Sequence, residues 1–169
     1  MMRIVLGVFA VLLAAYAIQV HRELHEPPSV AGQPRIVPVA STDQVLDLIR
    51  RGKKVLFVDA REPREWEDEH IPGAIDMTLR DVAHLDRKAL GNPDLIVAYC
   101  LKDFRGFEVA KALQHAGVAQ ASNLMEMGIN GWKQRGLPTV IAGKRSESEA
   151  RLMLAACVHG EAAHCGAAR

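Results

Sequence analysis

The sequence predicts a three-layer α/β fold, in which helices cover both faces of a mostly parallel β-sheet. Two short apolar runs, residues 55–58 and 95–99, contain no charged residue, which is typical of strands buried on both faces of a parallel sheet. Segments with helical spacing of apolar residues alternate with these runs. The length of 169 residues is enough for one domain with appendages.

The first predicted elements are a helix and a buried strand. Ser41 and Gln44 match a capping box, and the apolar spacing that follows predicts a helix to about Arg50. The strand at residues 55–58 comes next, and Asp59 stands at its carboxyl end.

The second apolar run leads directly to a cysteine. Pro63 favours the start of a short polar helix, and residues 71–75 lead through a Pro-Gly turn into another strand. Residues 95–99 form the second apolar run, and Cys100 follows it. Ligands of parallel α/β sheets bind at the carboxyl ends of the strands, so Asp59 and Cys100 are expected at the functional edge.

The remaining elements continue the alternation. Helical spacing over residues 107–113 ends at Gly117, which is a natural helix stop. Residues 121–124 predict a last strand, and residues 129–134 predict a short helix.

The amino terminus indicates export. Residues 4–20 carry no charged side chain, and Arg3 before them favours an amino end in the cytoplasm. Residues 1–25 are predicted to form an N-terminal hydrophobic helix, either a single-pass transmembrane anchor or a cleaved signal with a small-residue site at 15–17; a buried helix is the third reading. A Pro-rich linker at residues 26–38 leads to the domain. The catalytic domain is then expected on the non-cytoplasmic, periplasmic side, membrane-anchored or released.

The charge balance argues against a nucleic-acid partner. The chain has 21 Lys and Arg residues against 20 Asp and Glu residues, a net charge of +1. A protein with so little net charge has no long-range field to attract nucleic acid, so any anion site must be local. Neither a cofactor nor a metal is predicted for the domain, which is assigned to residues 39–142.

The Ala-rich tail, residues 143–169, contains the other two cysteines. Cys157 and Cys165 stand near His159 and His164. In an exported protein a disulfide is favoured, and an unstructured tail or a metal or sulfur relay are the alternatives.

The segment between the second apolar strand and the next helix predicts an anion site. Residues 100–105, here called the Cys100 loop, can turn successive backbone N–H groups inward, and the following helix start adds partial positive charge. Such surroundings favour a thiolate over a thiol. Arg105 adds a planar cation suited to oxyanions, and Lys102 adds a second charge. The alternative is that Cys100 is an inert core cysteine.

Several segments together resemble one known family. They are residues 58–66, 69–75, 100–106, 110–113 with Gly117, and 128–132 with 137–138. In this order they resemble the single-domain rhodaneses, a family of thiosulfate or persulfide sulfurtransferases, over roughly residues 36–141. The resemblance implies a rhodanese-like fold, with a five-stranded parallel sheet flanked by helices.

The resemblance also implies roles for individual residues. Cys100 is expected to be the sulfur-accepting nucleophile, with Asp59 and Arg61 in support. The backbone cradle around it would be Leu101, Lys102, Asp103, Phe104 and Arg105. Four residues separate Cys100 from Arg105, as in rhodaneses, whereas the related dual-specificity phosphatases have one more, so phosphatase activity is disfavoured.

Two residues depart from the family pattern. Asp103 stands where many members have glycine, and Gly106 where many have serine. An inward carboxylate at position 103 would repel thiosulfate and raise the pKa of Cys100. A persulfide or organic thiol donor is therefore more plausible than thiosulfate.

The function expected from these observations is sulfur transfer. A sulfane sulfur from thiosulfate or a persulfide donor would pass through a Cys100 persulfide to a thiol or cyanide acceptor, in a ping-pong reaction. Two alternatives stay open: a non-catalytic module that binds an anion or a partner at the membrane, and a thiol redox or arsenate-reducing protein that uses the tail cysteines. Asp59 is expected to be structural, and His70 to fix a turn.

Overall fold

A five-stranded parallel sheet forms the centre of the domain, as predicted. The computed structural model describes Tyr16, residues 36–160 and Cys165. The sheet has the order β1-β6-β5-β2-β4, and every neighbouring pair is parallel. The strands are β1 (Val39–Ala40), β2 (Val55–Asp59), β4 (Ile75–Asp76), β5 (Leu95–Tyr99) and β6 (Ala121–Leu124).

Helices cover both faces of this sheet. They are α1 (Thr42–Arg50), α2 (Pro63–Asp68), α3 (Leu79–Val82), α4 (Phe104–His115), α5 (Gly128–Gln134) and α6 (Glu147–Val158), with a 3-10 turn at Arg87–Leu90. Val109 and Leu113 of α4 pack in the core on one face. On the other face, Val45 of α1 and Trp132 of α5 pack in a second core. The two cores account for the nearly unbroken apolar character of β2 and β5, because both faces of these strands are covered.

Most predicted elements are present with small changes at their ends. The capping box of α1 is formed, since the Ser41 side chain accepts from the Gln44 N–H and the Gln44 side chain accepts from the Ser41 N–H. Helix α4 begins at Phe104 and so takes in the end of the Cys100 loop. Three short strands were not predicted individually: β1, which adds to the edge of the central sheet, and β3 (Glu69–His70) and β7 (Val140–Ile141), which form a separate antiparallel pair.

The tail contains a helix that the sequence pattern did not predict. Ser146 caps α6 by accepting from the Glu149 N–H. Ala150, Leu154 and Val158 recur at helical spacing along α6 and are buried. An unstructured tail is therefore wrong for residues 147–158.

A disulfide bond joins Cys157 at the end of α6 to Cys165, as the export argument favoured. Both sulfur atoms form this bond, so neither is free to act as a ligand in the metal alternative. The carboxyl end of α6 is also held against α1, because Arg50 Nε donates to the Val158 carbonyl at 2.8 Å.

The predicted N-terminal hydrophobic helix lies outside the described residues, apart from Tyr16. No helix in the described part of the chain is long and apolar enough to cross a bilayer. At the end of the predicted linker, Val37 is only 5% exposed and belongs to the core.

Candidate active site

Strands β2 and β5 bring the predicted site residues to one edge of the sheet. Asp59 at the end of β2 lies in register with Tyr99 at the end of β5. The Ala60 N–H donates to the Tyr99 carbonyl at 2.7 Å, which extends the pairing by one residue. Cys100 follows Tyr99, so the cysteine stands at the carboxyl edge that the sequence predicted.

Helix α5 binds the Cys100 loop through the loop's carbonyl groups. The Cys100 carbonyl accepts from the Ile129 N–H at 2.9 Å, and the Leu101 carbonyl accepts from the Asn130 N–H at 3.4 Å. These N–H groups belong to the first turn of α5, where they have no partner inside the helix. The unpaired N–H groups at the start of α5 and the carbonyl groups of the loop are thus hydrogen-bonded to each other.

The turn before α5 is left-handed over three residues. Glu126, Met127 and Gly128 have φ values of 67°, 71° and 53°. A Cβ on Gly128 would lie 2.3 Å from the Cys100 carbonyl oxygen and 2.4 Å from that of Lys102. Only glycine fits this position, because the loop backbone lies directly against it.

The carbonyl positions fix the direction of the loop amides. In a trans peptide the N–H points opposite to the preceding C=O. Because the carbonyls of residues 100–102 face α5, the N–H groups of residues 101–103 point away from α5. Within the described residues, no acceptor receives a hydrogen bond from the backbone N–H groups of residues 101–106. The loop therefore presents a run of free donors directly after the cysteine.

Cys100 itself is buried, with 3% of its surface exposed, and it is the one cysteine of the chain outside the disulfide. Leu101, Lys102, Asp103 and Phe104 are exposed above it. The Asp103 side chain forms no capping hydrogen bond to α4. The residue is exposed to solvent, and the effect of its carboxylate on donor binding stays a prediction.

Arg105 is paired with a residue that the sequence did not single out. Arg105 Nη1 lies 2.7 Å from Glu65 Oε2, and Arg105 Nη2 lies 3.2 Å from Glu65 Oε1. This hydrogen-bonded pair raises the pKa of Arg105, and a negative charge on Cys100 raises it further. The same pair lowers the pKa of the Glu65 carboxyl. The cation of the Cys100 loop is therefore already compensated by a carboxylate of α2.

Asp59 and Arg61 form a buried ion pair. Asp59 has no exposed surface and Arg61 is 5% exposed, with Arg61 Nη2 lying 2.7 Å from Asp59 Oδ2. Burial lowers the pKa of Arg61, but the hydrogen bonds and charge of Asp59 outweigh this and raise it. Arg61 also donates to the Glu69 carbonyl, so the pair ties the end of β2 to β3. These contacts agree with the structural role expected for Asp59.

His70 is fixed as expected for a turn residue. Its Nδ1 lies 2.7 Å from the Trp66 carbonyl oxygen, and its ring stacks on that of Trp66 at 4.5 Å. Its Nε2 lies 3.3 Å from Glu147 Oε2 of α6, and the other oxygen of Glu147 accepts from the Gly73 N–H at 2.8 Å. The helix in the tail thus holds the 70–73 turn.

The structure accounts for glycine at position 106. A Cβ there would lie 2.7 Å from Asn123 Oδ1 and 2.9 Å from the Tyr99 Cα. Asn123 Oδ1 is buried without a hydrogen-bond partner in the described part of the protein. The Asn123 side chain therefore fills the space beside α4 that a residue larger than glycine would need.

A small pocket adjoins the site. It has a volume of about 170 Å³, and Arg105 contributes to its wall although Cys100 does not. Its other lining residues are Ala60, Glu62, Thr78, Leu79, Arg80, Phe104, Glu108 and Val109. Phe104 is 76% exposed and Leu101 is 42% exposed, so apolar side chains stand at the mouth of the Cys100 loop. Across the described residues, no group of three or more His, Cys, Asp or Glu side chains is arranged to hold a metal ion.

The fold and the loop define a parallel α/β domain in which one buried cysteine is followed by a run of backbone N–H groups without acceptors in the described residues. The profile of the Rhodanese-like domain family matches residues 41–135. The chain belongs to this family.

Relatives agree with the assignment of the fold. An uncharacterized protein of Synechocystis sp. is 35% identical over 104 residues, which are 60% of this chain and 56% of that protein. The chain thus spans little more than half the length of this curated relative. The rhodanese-like domain of an Anabaena protein, with 23% identity, aligns with a TM-score of 0.52 over 66% of this chain and 85% of that one. The human single-domain sulfurtransferase, with 21% identity, aligns with a TM-score of 0.50 over 59% of this chain and 98% of that one.

Proposed function

We propose that this protein is a sulfurtransferase that carries a sulfane sulfur on Cys100. The observation that carries the proposal is the run of backbone N–H groups over residues 101–106, which have no acceptor in the described structure and begin directly after the cysteine. Such donors stabilise a thiolate, and they equally stabilise the terminal sulfur of a persulfide. The human neighbour is named a sulfurtransferase, which supports the same chemistry.

The first half-reaction loads the cysteine. The Cys100 thiolate attacks the outer sulfur of the donor, an Sγ–S bond forms, and the bond between that sulfur and the rest of the donor breaks. With thiosulfate the leaving group is sulfite; with an organic persulfide it is a thiolate. The electron pair of the broken bond leaves with that group, so no external oxidant or reductant is needed.

The second half-reaction removes the outer sulfur from Cys100. A nucleophilic acceptor, either a thiolate or cyanide, attacks the outer sulfur of the Cys100 persulfide. The Sγ–S bond breaks, and its electron pair returns to Cys100 as the thiolate. The free donors of the loop favour the anionic sulfur in both states, which is the pattern expected of electrostatic stabilisation.

Mass spectrometry of the full chain tests this proposal directly. Incubation with thiosulfate or a thiosulfonate should add the mass of one sulfur atom to Cys100, and cyanide should remove it as thiocyanate. Cys100→Ser should gain no sulfur under the same conditions. If no donor loads the wild-type protein, the chain is not a sulfurtransferase.

The burial of Cys100 and the compensation of Arg105 favour a second candidate. With 3% exposure of the cysteine and Glu65 on the guanidinium, the same loop could serve a non-catalytic module that binds an anion or a partner. Loading of Cys100 excludes this candidate, because a pure binding module forms no persulfide. Absence of loading together with sulfate or sulfite binding, measured by calorimetry, would support it.

The redox alternative has a separate test. Cys157 and Cys165 are joined to each other, so a resolving role would require their disulfide to be opened during turnover. A variant with both cysteines replaced by alanine should keep the rate of sulfur transfer from Cys100. A loss of turnover in this variant, with the fold intact, would favour thiol exchange through the tail.

We also propose that the domain acts outside the cytoplasm, held by the apolar segment at residues 1–25. The disulfide supports this, since such bonds persist in oxidising compartments. The segment itself lies outside the described residues. Fractionation of the native full chain into membrane, cytoplasmic and periplasmic portions tests the proposal, and recovery in the cytoplasmic fraction would contradict it.

A further inference from the structure

Glu65 holds the guanidinium that would otherwise meet the donor. Both terminal nitrogens of Arg105 bond to the two carboxylate oxygens of Glu65. The two side chains are 40% and 35% exposed, so the pair stands at the mouth of the site and not in the core. Arg105 belongs to the first turn of α4, directly after the loop that begins with Cys100, so its guanidinium lies at the loop that a donor must approach.

The pair is built into the start of α2. Glu65 Oε2 also accepts from the Glu62 N–H at 3.1 Å, as the second half of a capping box on that helix. A surface carboxylate that is fixed in this way loses less entropy on pairing than a free one. Glu65 is therefore a permanent partner of Arg105 in the resting protein.

A second guanidinium near the loop is also paired. Arg80, which lines the adjacent pocket, lies 3.0 Å from Glu62 through Nη2 and Oε2. Lys102 is exposed and has no ion pair within the described residues, but the next residue is the exposed Asp103. A donor that approaches Cys100 meets free amides but no uncompensated guanidinium.

We propose that Glu65 determines donor selectivity through Arg105, so that donors with one negative charge or none react in preference to dianionic thiosulfate. This rests on the proposed sulfur transfer at Cys100. The pocket beside Arg105, with Phe104, Leu79 and Val109 in its wall, provides apolar surface for the organic group of such a donor. Glu65 is a positioning residue, because it acts on the donor only through the cation that it holds.

The matched probes are thiosulfate, with two negative charges, and methanethiosulfonate, with one. Each gives the same loaded cysteine: the Cys100 thiolate takes the outer sulfur, and sulfite or methanesulfinate leaves with the electron pair. The wild-type full chain should load from methanethiosulfonate with the higher kcat/KM. If the wild type has an equal or higher kcat/KM for thiosulfate than for methanethiosulfonate, the inference is wrong, and no variant is needed to show it.

The variant Glu65→Gln removes the carboxylate charge but keeps an oxygen that can accept the Glu62 N–H. It should raise kcat/KM for thiosulfate about tenfold, through the donor KM, since one removed charge near a half-exposed site is worth this much. The effect on methanethiosulfonate should be about threefold, because the donor has one charge and not two. Glu67→Gln, at an exposed position of the same helix, is the control and should change neither value.

The outcomes separate this inference from the proposed function. If Cys100 loads from either probe but Glu65→Gln changes both probes equally or not at all, the inference is wrong and the sulfurtransferase stands. If neither probe nor an alkyl persulfide loads Cys100, the proposed function fails first. A rise in thiosulfate use that appears only in kcat, with KM unchanged, would also refute the role given to Glu65.

Discussion

Replacing Gly128 with alanine tests whether α5 holds the Cys100 loop in its reactive shape. The added Cβ would lie 2.3 Å from the Cys100 carbonyl oxygen and 2.4 Å from that of Lys102, whereas ordinary contact begins near 3.4 Å. Both obstructing atoms belong to the backbone, so no side-chain rotation can relieve the contact. The loop must therefore move away from α5 by about 1 Å.

This displacement has two separate consequences. A 1 Å misplacement of reacting groups costs about a hundredfold in rate, so loading of Cys100 should slow by roughly that factor. Alanine in the left-handed region costs about 1 kcal/mol, and overpacking adds about 1–3 kcal/mol. The free energy of unfolding should therefore fall by about 2–4 kcal/mol.

Two measurements on the same preparations separate these effects. Single-turnover loading of Cys100 by methanethiosulfonate gives the rate, and urea unfolding gives the stability. Gly52→Ala is the control, since Gly52 has a φ of 72° but no atom within 4 Å of the place that an added methyl group would take. It should lose about 1 kcal/mol of stability and keep its loading rate. A folded Gly128→Ala variant that loads at the wild-type rate would show that the loop shape does not govern the reaction.

Three further predictions concern the buried charges and the loop amides. Asp59→Ala leaves the Arg61 cation buried without its partner, and urea unfolding should show a loss of about 3–5 kcal/mol; a loss under about 1 kcal/mol would mean that the pair is not needed. Burial raises the pKa of Asp76 above 3.8, and the charge of Asp59 adds to this. The ionised Asp76 carboxylate therefore costs stability above its raised pKa and nothing below its ordinary one, so Asp76→Asn should raise the free energy of unfolding at pH 7 and leave it unchanged near pH 3. An equal gain at both pH values would contradict this sign. Hydrogen exchange of the amides at 101–106 should slow when Cys100 carries sulfur, and unchanged exchange would mean that they do not contact it.

The positions of Cys100 and Arg105 could be predicted from the sequence, but the carboxylate that pairs with Arg105 could not. Cys100 follows a strand whose apolar run is clear, and strand ends define the functional edge of a parallel sheet. Arg105 belongs to the same loop, so it was found with it. Glu65 comes 40 residues earlier in an ordinary polar helix start, and its choice of partner depends on how α2 lies against α4.

The same limit explains why two glycines were not understood from sequence. Gly106 looked like the loss of a serine hydroxyl, whereas its cause is the close approach of the Tyr99 backbone and the Asn123 side chain. Gly128 was part of a matching segment, but only the structure shows that it lies against the Cys100 carbonyl. Helix α6 is a different case: the helical spacing of Ala150, Leu154 and Val158 was overlooked, because the tail was interpreted from its alanine content and its cysteines alone.

The free amides of the Cys100 loop raise the question of why the fold tolerates them. A buried N–H without an acceptor is costly, but residues 101–104 are exposed, so water can satisfy the donors of these four residues in the resting protein, whereas Arg105 is half-buried and Gly106 is buried. Cys100 itself is buried, since only 3% of its surface is exposed. In the proposed reaction, a second sulfur on Cys100 would accept hydrogen bonds from these amides in place of that water. The loop carbonyl groups of Cys100 and Leu101 do not repel the anionic sulfur, because they point to the other side of the loop, where they accept hydrogen bonds from α5.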